Sequence, residues 1–186
     1  QDATHLSPDV SGIGHASAAP ARLAAGEKRP IFRPMTDRTI PAAPLALGLA
    51  GLIPFLWGTL TLYVPGLHAF GSAAFGPRFV GPYVQVFYGA IILAFMSGVL
   101  WGFATRSGGR EAGIGYGLSV LPALWAFFAT GGGPLSAALG LALGYAGLLG
   151  IETWFVRRKL APAWWMRLRL ILSAVVISCL IATTLA

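Results

Sequence analysis

Apolar residues in this chain gather into five long blocks, over roughly residues 41–64, 83–104, 113–130, 135–156 and 168–186. Short polar or glycine- and proline-rich breaks separate them. An α-helix rises about 1.5 Å per residue, so some twenty apolar residues suffice to cross a bilayer core about 30 Å thick. The second block, YVQVFYGAIILAFMSGVLWGFA, contains no charged residue. Thr130-Gly-Gly-Gly-Pro134 is a tight, uncharged connection, so the third and fourth blocks should form an antiparallel helical hairpin. The pattern predicts an all-α integral membrane protein: a five-transmembrane-helix bundle over residues 41–186 behind a polar N-terminal extension, residues 1–40.

Punctuation refines this picture. Pro41 or Pro44 opens the first span, where a missing amide proton costs nothing, whereas Pro54 and Pro122 lie inside the first and third spans and should kink them. The linker 65–82 is broken by Gly and Pro and reads as a loop; its apolar residues suggest that it lies on the membrane surface or caps the bundle. The extension is rich in Ala, Ser, Pro and Gly and has no apolar stripe able to build a core. Met35, directly before the first span, is a candidate biological start. If the extension is native, a partner outside the chain is expected to hold it.

Composition supports the membrane class. Of the 186 residues 56% are hydrophobic and only 10% charged, against about 25% charged in soluble domains. The net charge of +7 would suit nucleic acid if it were clustered on one polar face. Instead the basic residues lie between the spans, concentrated in the tail, after the second span and after the fourth. That alternation is a topology signal. It places the N-terminus on the negative side, cytoplasm or matrix, and it argues against a nucleic-acid partner. Cys179 is the single cysteine, within an apolar run, so no disulfide forms within the chain.

Chemistry-bearing residues are few. Glu152 is the only acid near a span, and a salt bridge to Arg157, Arg158, Arg167 or Arg169 would tie the last two spans together. His68 stands in a loop and His5 and His15 in the tail, without the spacing of a metal or heme site. No catalytic residue, cofactor or metal is expected. Gly98 and Gly102, and again Gly140 and Gly144, have the small-xxx-small spacing that lets helices approach closely. Trp164, Trp165, Arg167 and Arg169 form an aromatic and basic anchor for the membrane interface. Gln85, Tyr88, Tyr116 and Tyr145 are the polar groups that could meet an apolar ligand between the second, third and fourth spans.

Three motifs in order, Tyr88-GAIILAFMSGVLW-Gly102, Ser119-VLPAL and Pro162-AWWMRL-Arg169, resemble a family of small membrane proteins, a domain of unknown function that includes transmembrane protein 69. The resemblance covers roughly residues 42–186 and leaves the tail outside. It implies a bacterial or mitochondrial inner membrane, and with the glycine faces and absent chemistry it suggests a non-enzymatic accessory or assembly subunit. The partners would be the lipid bilayer and subunits of an energy-transducing (respiratory or photosynthetic) complex or supercomplex. The alternative is a small carrier or binder of an apolar ligand such as quinone or lipid.

Overall fold

The computed structural model describes residues 39–186; the expectations for Met35, for the tail histidines and for a docking tail fall outside these residues. Seven α-helices follow in order: α1 (Ala42–Ala50), α2 (Ile53–Tyr63), α3 (Pro65–Phe75), α4 (Gly81–Ala104), α5 (Gly109–Ala129), α6 (Pro134–Arg157) and α7 (Trp165–Thr184), with a 3₁₀ turn at Pro77–Phe79. α1 and α2 together make one span, and α4, α5, α6 and α7 make four more, so five segments are long and apolar enough to cross a membrane. The chain is a multi-pass membrane protein.

α4 is the central helix and packs against α2, α5, α6 and α7, while α7 closes the ring between α6 and α2. The interior is built from small and medium side chains. Ala104, Ala126, Ala137, Ala138 and Ala142 are buried beside Leu93, Leu100, Leu141 and Leu148. Large apolar groups such as Phe95, Phe127 and Phe128 are more than 60% exposed. This distribution suits a lipid solvent. Hydrocarbon outside is as apolar as the core, so close packing of small residues, rather than hydrophobic burial, brings the helices together.

Prolines act differently at their two interior positions. The first span breaks one turn before Pro54, at Gly51 and Leu52, and Pro54 then occupies the first turn of α2, where no amide donor is needed. In α5 the helix runs through the buried Pro122 without interruption. The next amide, that of Ala123, donates to Ser97 Oγ of α4 at 2.9 Å. The hydroxyl of α4 thus accepts from the amide beside the proline and ties the two helices at that point.

The segment 65–82, read from sequence as a loop, contains α3. Pro65 sits in the first turn of α3, and Gly71 lets the helix lie against Val80 and the Trp57 ring, where an added Cβ would come within 2.8 Å of each. The Gly and Pro residues taken as loop punctuation are instead a start signal and a contact surface. Phe70 and Phe75 remain exposed, which fits a helix at the membrane surface.

Candidate functional site

Two buried polar clusters tie the bundle, one near each end. At the end where α6 finishes and α7 starts, Arg169 Nε donates to Glu152 Oε1 at 2.7 Å, and Trp165 Nε1 donates to the same oxygen at 3.2 Å. Glu152 lies five residues before the end of α6, about 7 Å inside it, and is fully buried. Helical geometry selects Arg169. At about 100° per residue, Arg157 and Arg158 are turned well away from Glu152 around α6; both are exposed, and Arg158 pairs with Glu111 at 3.2 Å. Of the four candidate partners Arg169 is the one that pairs with Glu152, and the pairing with Arg157 or Arg158 is corrected to one across helices.

The same rotation separates the expected interface anchors. Arg167 is exposed, whereas Arg169, two positions on, faces α6 and is 5% exposed. Trp165 turns inward onto Glu152 and packs edge-on against Phe103 with ring centroids 5.0 Å apart. Trp164 and Trp165 are both partly buried, so of the four anchors Arg167 alone points fully outward. Glu152 Oε2, Arg169 Nη2 and Ser173 Oγ are buried with no hydrogen-bond partner among the described residues. The ion pair is satisfied along one edge only.

At the opposite end Gln85 joins three helices. Its Nε2 donates to the Phe55 carbonyl at 3.0 Å and to Thr59 Oγ1 at 2.8 Å, while its Oε1 accepts from the Thr183 hydroxyl. Nearby, the Gly81 amide donates to Thr61 Oγ1 at 2.8 Å. Gln85 is fully buried and every polar atom it carries is used within the protein, so it is a structural tie and not a ligand contact.

The tyrosines grouped with Gln85 also separate. Tyr145 donates its hydroxyl to the Gly89 carbonyl at 2.9 Å, Tyr88 packs edge-on against Phe55, and Tyr116 lies tilted against Trp101 with ring centroids 4.6 Å apart. Tyr88 and Tyr145 share Phe55 as an edge-on partner, whereas Tyr116 stands apart at the contact of α4 with α5. A groove of about 700 Å³ does open between α5 and α6, lined by Leu121, Trp125, Phe128, Leu143, Gly147 and Ile151 among others. It is almost wholly apolar, and none of the four expected residues lines it.

The glycine pairs divide as well. Gly140 faces Ala129, and Gly144 faces Leu93 and Trp125, each so closely that an added Cβ would meet a neighbour at 2.9 Å or less. Gly98 and Gly102 are exposed on α4, and a Cβ at either would meet nothing within 4 Å. Their spacing permits close packing, but their face points out of the bundle, so they form no seam within the chain. Gly58, which spacing motifs do not mark, is the tightest crossing: a Cβ there would lie 2.5 Å from Gln85 Cγ and 3.0 Å from the Gly81 carbonyl oxygen.

The family model described as "Protein of unknown function (DUF3429)" matches residues 40–185. Transmembrane protein 69 of Xenopus tropicalis is 35% identical over 153 residues, covering 77% of this chain and 54% of that protein. The chain thus spans about half the length of the curated relative it matches. No solved structure matches it.

Proposed function

The chain belongs to the DUF3429 family, and we propose that it acts as a non-enzymatic accessory or assembly subunit that docks on other helices in an inner membrane. The observation that carries this reading is the outward-facing Gly98 and Gly102 pair, open to a helix from another subunit. Small-xxx-small faces gain their energy from backbone approach, and on α4 that approach is unused within the chain. An energy-transducing respiratory or photosynthetic complex is the proposed host, since bacterial and mitochondrial inner membranes share such complexes.

The Gly98→Leu variant should insert and melt at or slightly above the parent, with up to about 1 kcal/mol gained from helix propensity, because a Cβ at this position meets nothing within 4 Å. Its partners should be lost on purification in mild detergent through a C-terminal tag. Undiminished recovery of the same subunits, identified by mass spectrometry, would count against α4 as the docking face.

A second reading, a carrier of an apolar ligand such as quinone or lipid, is favoured by the α5–α6 groove. Gly147 lines that groove and has open space where a side chain would start. Gly147→Phe should fill it, leaving stability near the parent's and lowering the quinone or lipid that organic extraction recovers per protein. Equal recovery from parent and variant would remove the groove from consideration.

A further inference from the structure

We propose that the end of the bundle carrying the starts of α5 and α7 and the end of α6 binds the phosphate-bearing headgroups of anionic phospholipids, through Arg110, Arg157 and Arg167. Each arginine terminates a stripe of exposed residues that runs along its helix at helical spacing. Arg110 leads into Ile114 and Gly117, Arg157 follows Ala146 and Gly150, and Arg167 leads into Leu170 and Ala174, all exposed. These stripes face hydrocarbon in a membrane-spanning bundle. The guanidinium groups therefore stand where the acyl region gives way to headgroups, and long side chains reach outward to that layer.

The three side chains are unengaged. None makes a hydrogen bond, ion pair or ring contact among the described residues. The two carboxylates of the described chain lie at the same end, and both are committed: Glu111 to Arg158 and Glu152 to Arg169. Exposed Lys159 adds a further cation in the turn between α6 and α7. At the opposite end the described residues offer only Arg78, whose guanidinium lies 4.7 Å over the Phe87 ring. Among the described residues the positive charge is thus concentrated at one end of the bundle.

Three features favour a lipid phosphate as the occupant. Continuity with the lipid-facing stripes puts the charges beside lipid and not at a loop tip. The planar guanidinium fork matches phosphate oxygens with two parallel hydrogen bonds. Trp164, in the turn leading into α7, is of the type that settles at the headgroup level.

The test uses the full chain reconstituted into phosphatidylcholine vesicles with added phosphatidylglycerol. The protein is extracted in mild detergent and its retained phospholipids are quantified by mass spectrometry. Phosphatidylglycerol should be enriched over the bulk mixture and should fall about fivefold for each arginine replaced in Arg110→Gln, Arg157→Gln and Arg167→Gln. Arg78→Gln should leave it unchanged. Raising chloride should strip the anionic lipid from the parent protein, so the parent alone gives a result if the triple variant misfolds. Inorganic phosphate at matched ionic strength should do no more than chloride. Absence of enrichment, its survival in a folded triple variant, indifference to salt, or specific displacement by inorganic phosphate would each overturn the assignment.

Discussion

Arg169→Ala is expected to lower bundle stability by about 3–5 kcal/mol, the usual cost of leaving one member of a buried ion pair alone. Glu152 would then lose its 2.7 Å hydrogen bond and its counter-charge together, keeping only the 3.2 Å contact from Trp165. Glu152→Leu combined with Arg169→Met should behave quite differently, unfolding at or above the parent's midpoint. The argument rests on Glu152 Oε2, Arg169 Nη2 and Ser173 Oγ, which are buried without partners among the described residues. Desolvating those atoms offsets much of what the pair contributes, whereas packed apolar groups carry no such cost. Thermal unfolding of the purified variants in one detergent measures both. A double variant no more stable than Arg169→Ala would show that the pair contributes net stability, contrary to this argument.

Gly58→Leu is expected to be the most damaging glycine replacement, at about 3 kcal/mol or more, beyond ordinary overpacking because backbone blocks one side. The added carbon would meet Val84 Cγ1 at 2.9 Å as well as Gln85 and the Gly81 carbonyl. α2 would have to move away from α4, and the hydrogen bonds from Gln85 to Phe55 and Thr59 would break with that movement. The informative comparison is with Gly98→Leu, the same chemical change on the outward face of α4. Far-ultraviolet circular dichroism should show both variants helical, with only Gly58→Leu losing its cooperative melt. Coincident melts for the two would mean that the α2–α4 crossing can widen without cost.

The spans were legible because length and apolar continuity, which define a membrane crossing, are properties of a single segment. Facing is not. The sequence places Gly98 and Gly102 at packing distance along one helix, but which neighbour stands opposite depends on how α4 is rotated against α2, α5 and α6. Rotation likewise decides that Glu152 meets Arg169 and not the arginines five and six residues on. The α5–α6 groove belongs to the space between two helices and leaves no mark in either one. α3 was hidden for another reason: Pro65 and Gly71 are breakers in a general tally, yet they are suited to a first turn and to a close contact. Gln85 did carry a signal, since an uncharged amide within a span must find partners, but composition alone does not tell a tie from a binding group.

The ion pair between α6 and α7 also sets a problem of order. The chain is made from the N-terminus, so Glu152 emerges 17 residues before the arginine that balances it. During that interval α6 holds an acid with no basic partner across a helix, at a depth where lipid disfavours charge. The natural resolution is for the two helices to enter the membrane together, with the turn 158–164 trailing at the basic end. α7 also meets Gln85 through Thr183 at its far end, so this one helix fastens both ends of the bundle. An arrest of synthesis between α6 and α7 would therefore leave an acid in the membrane without the arginine that balances it.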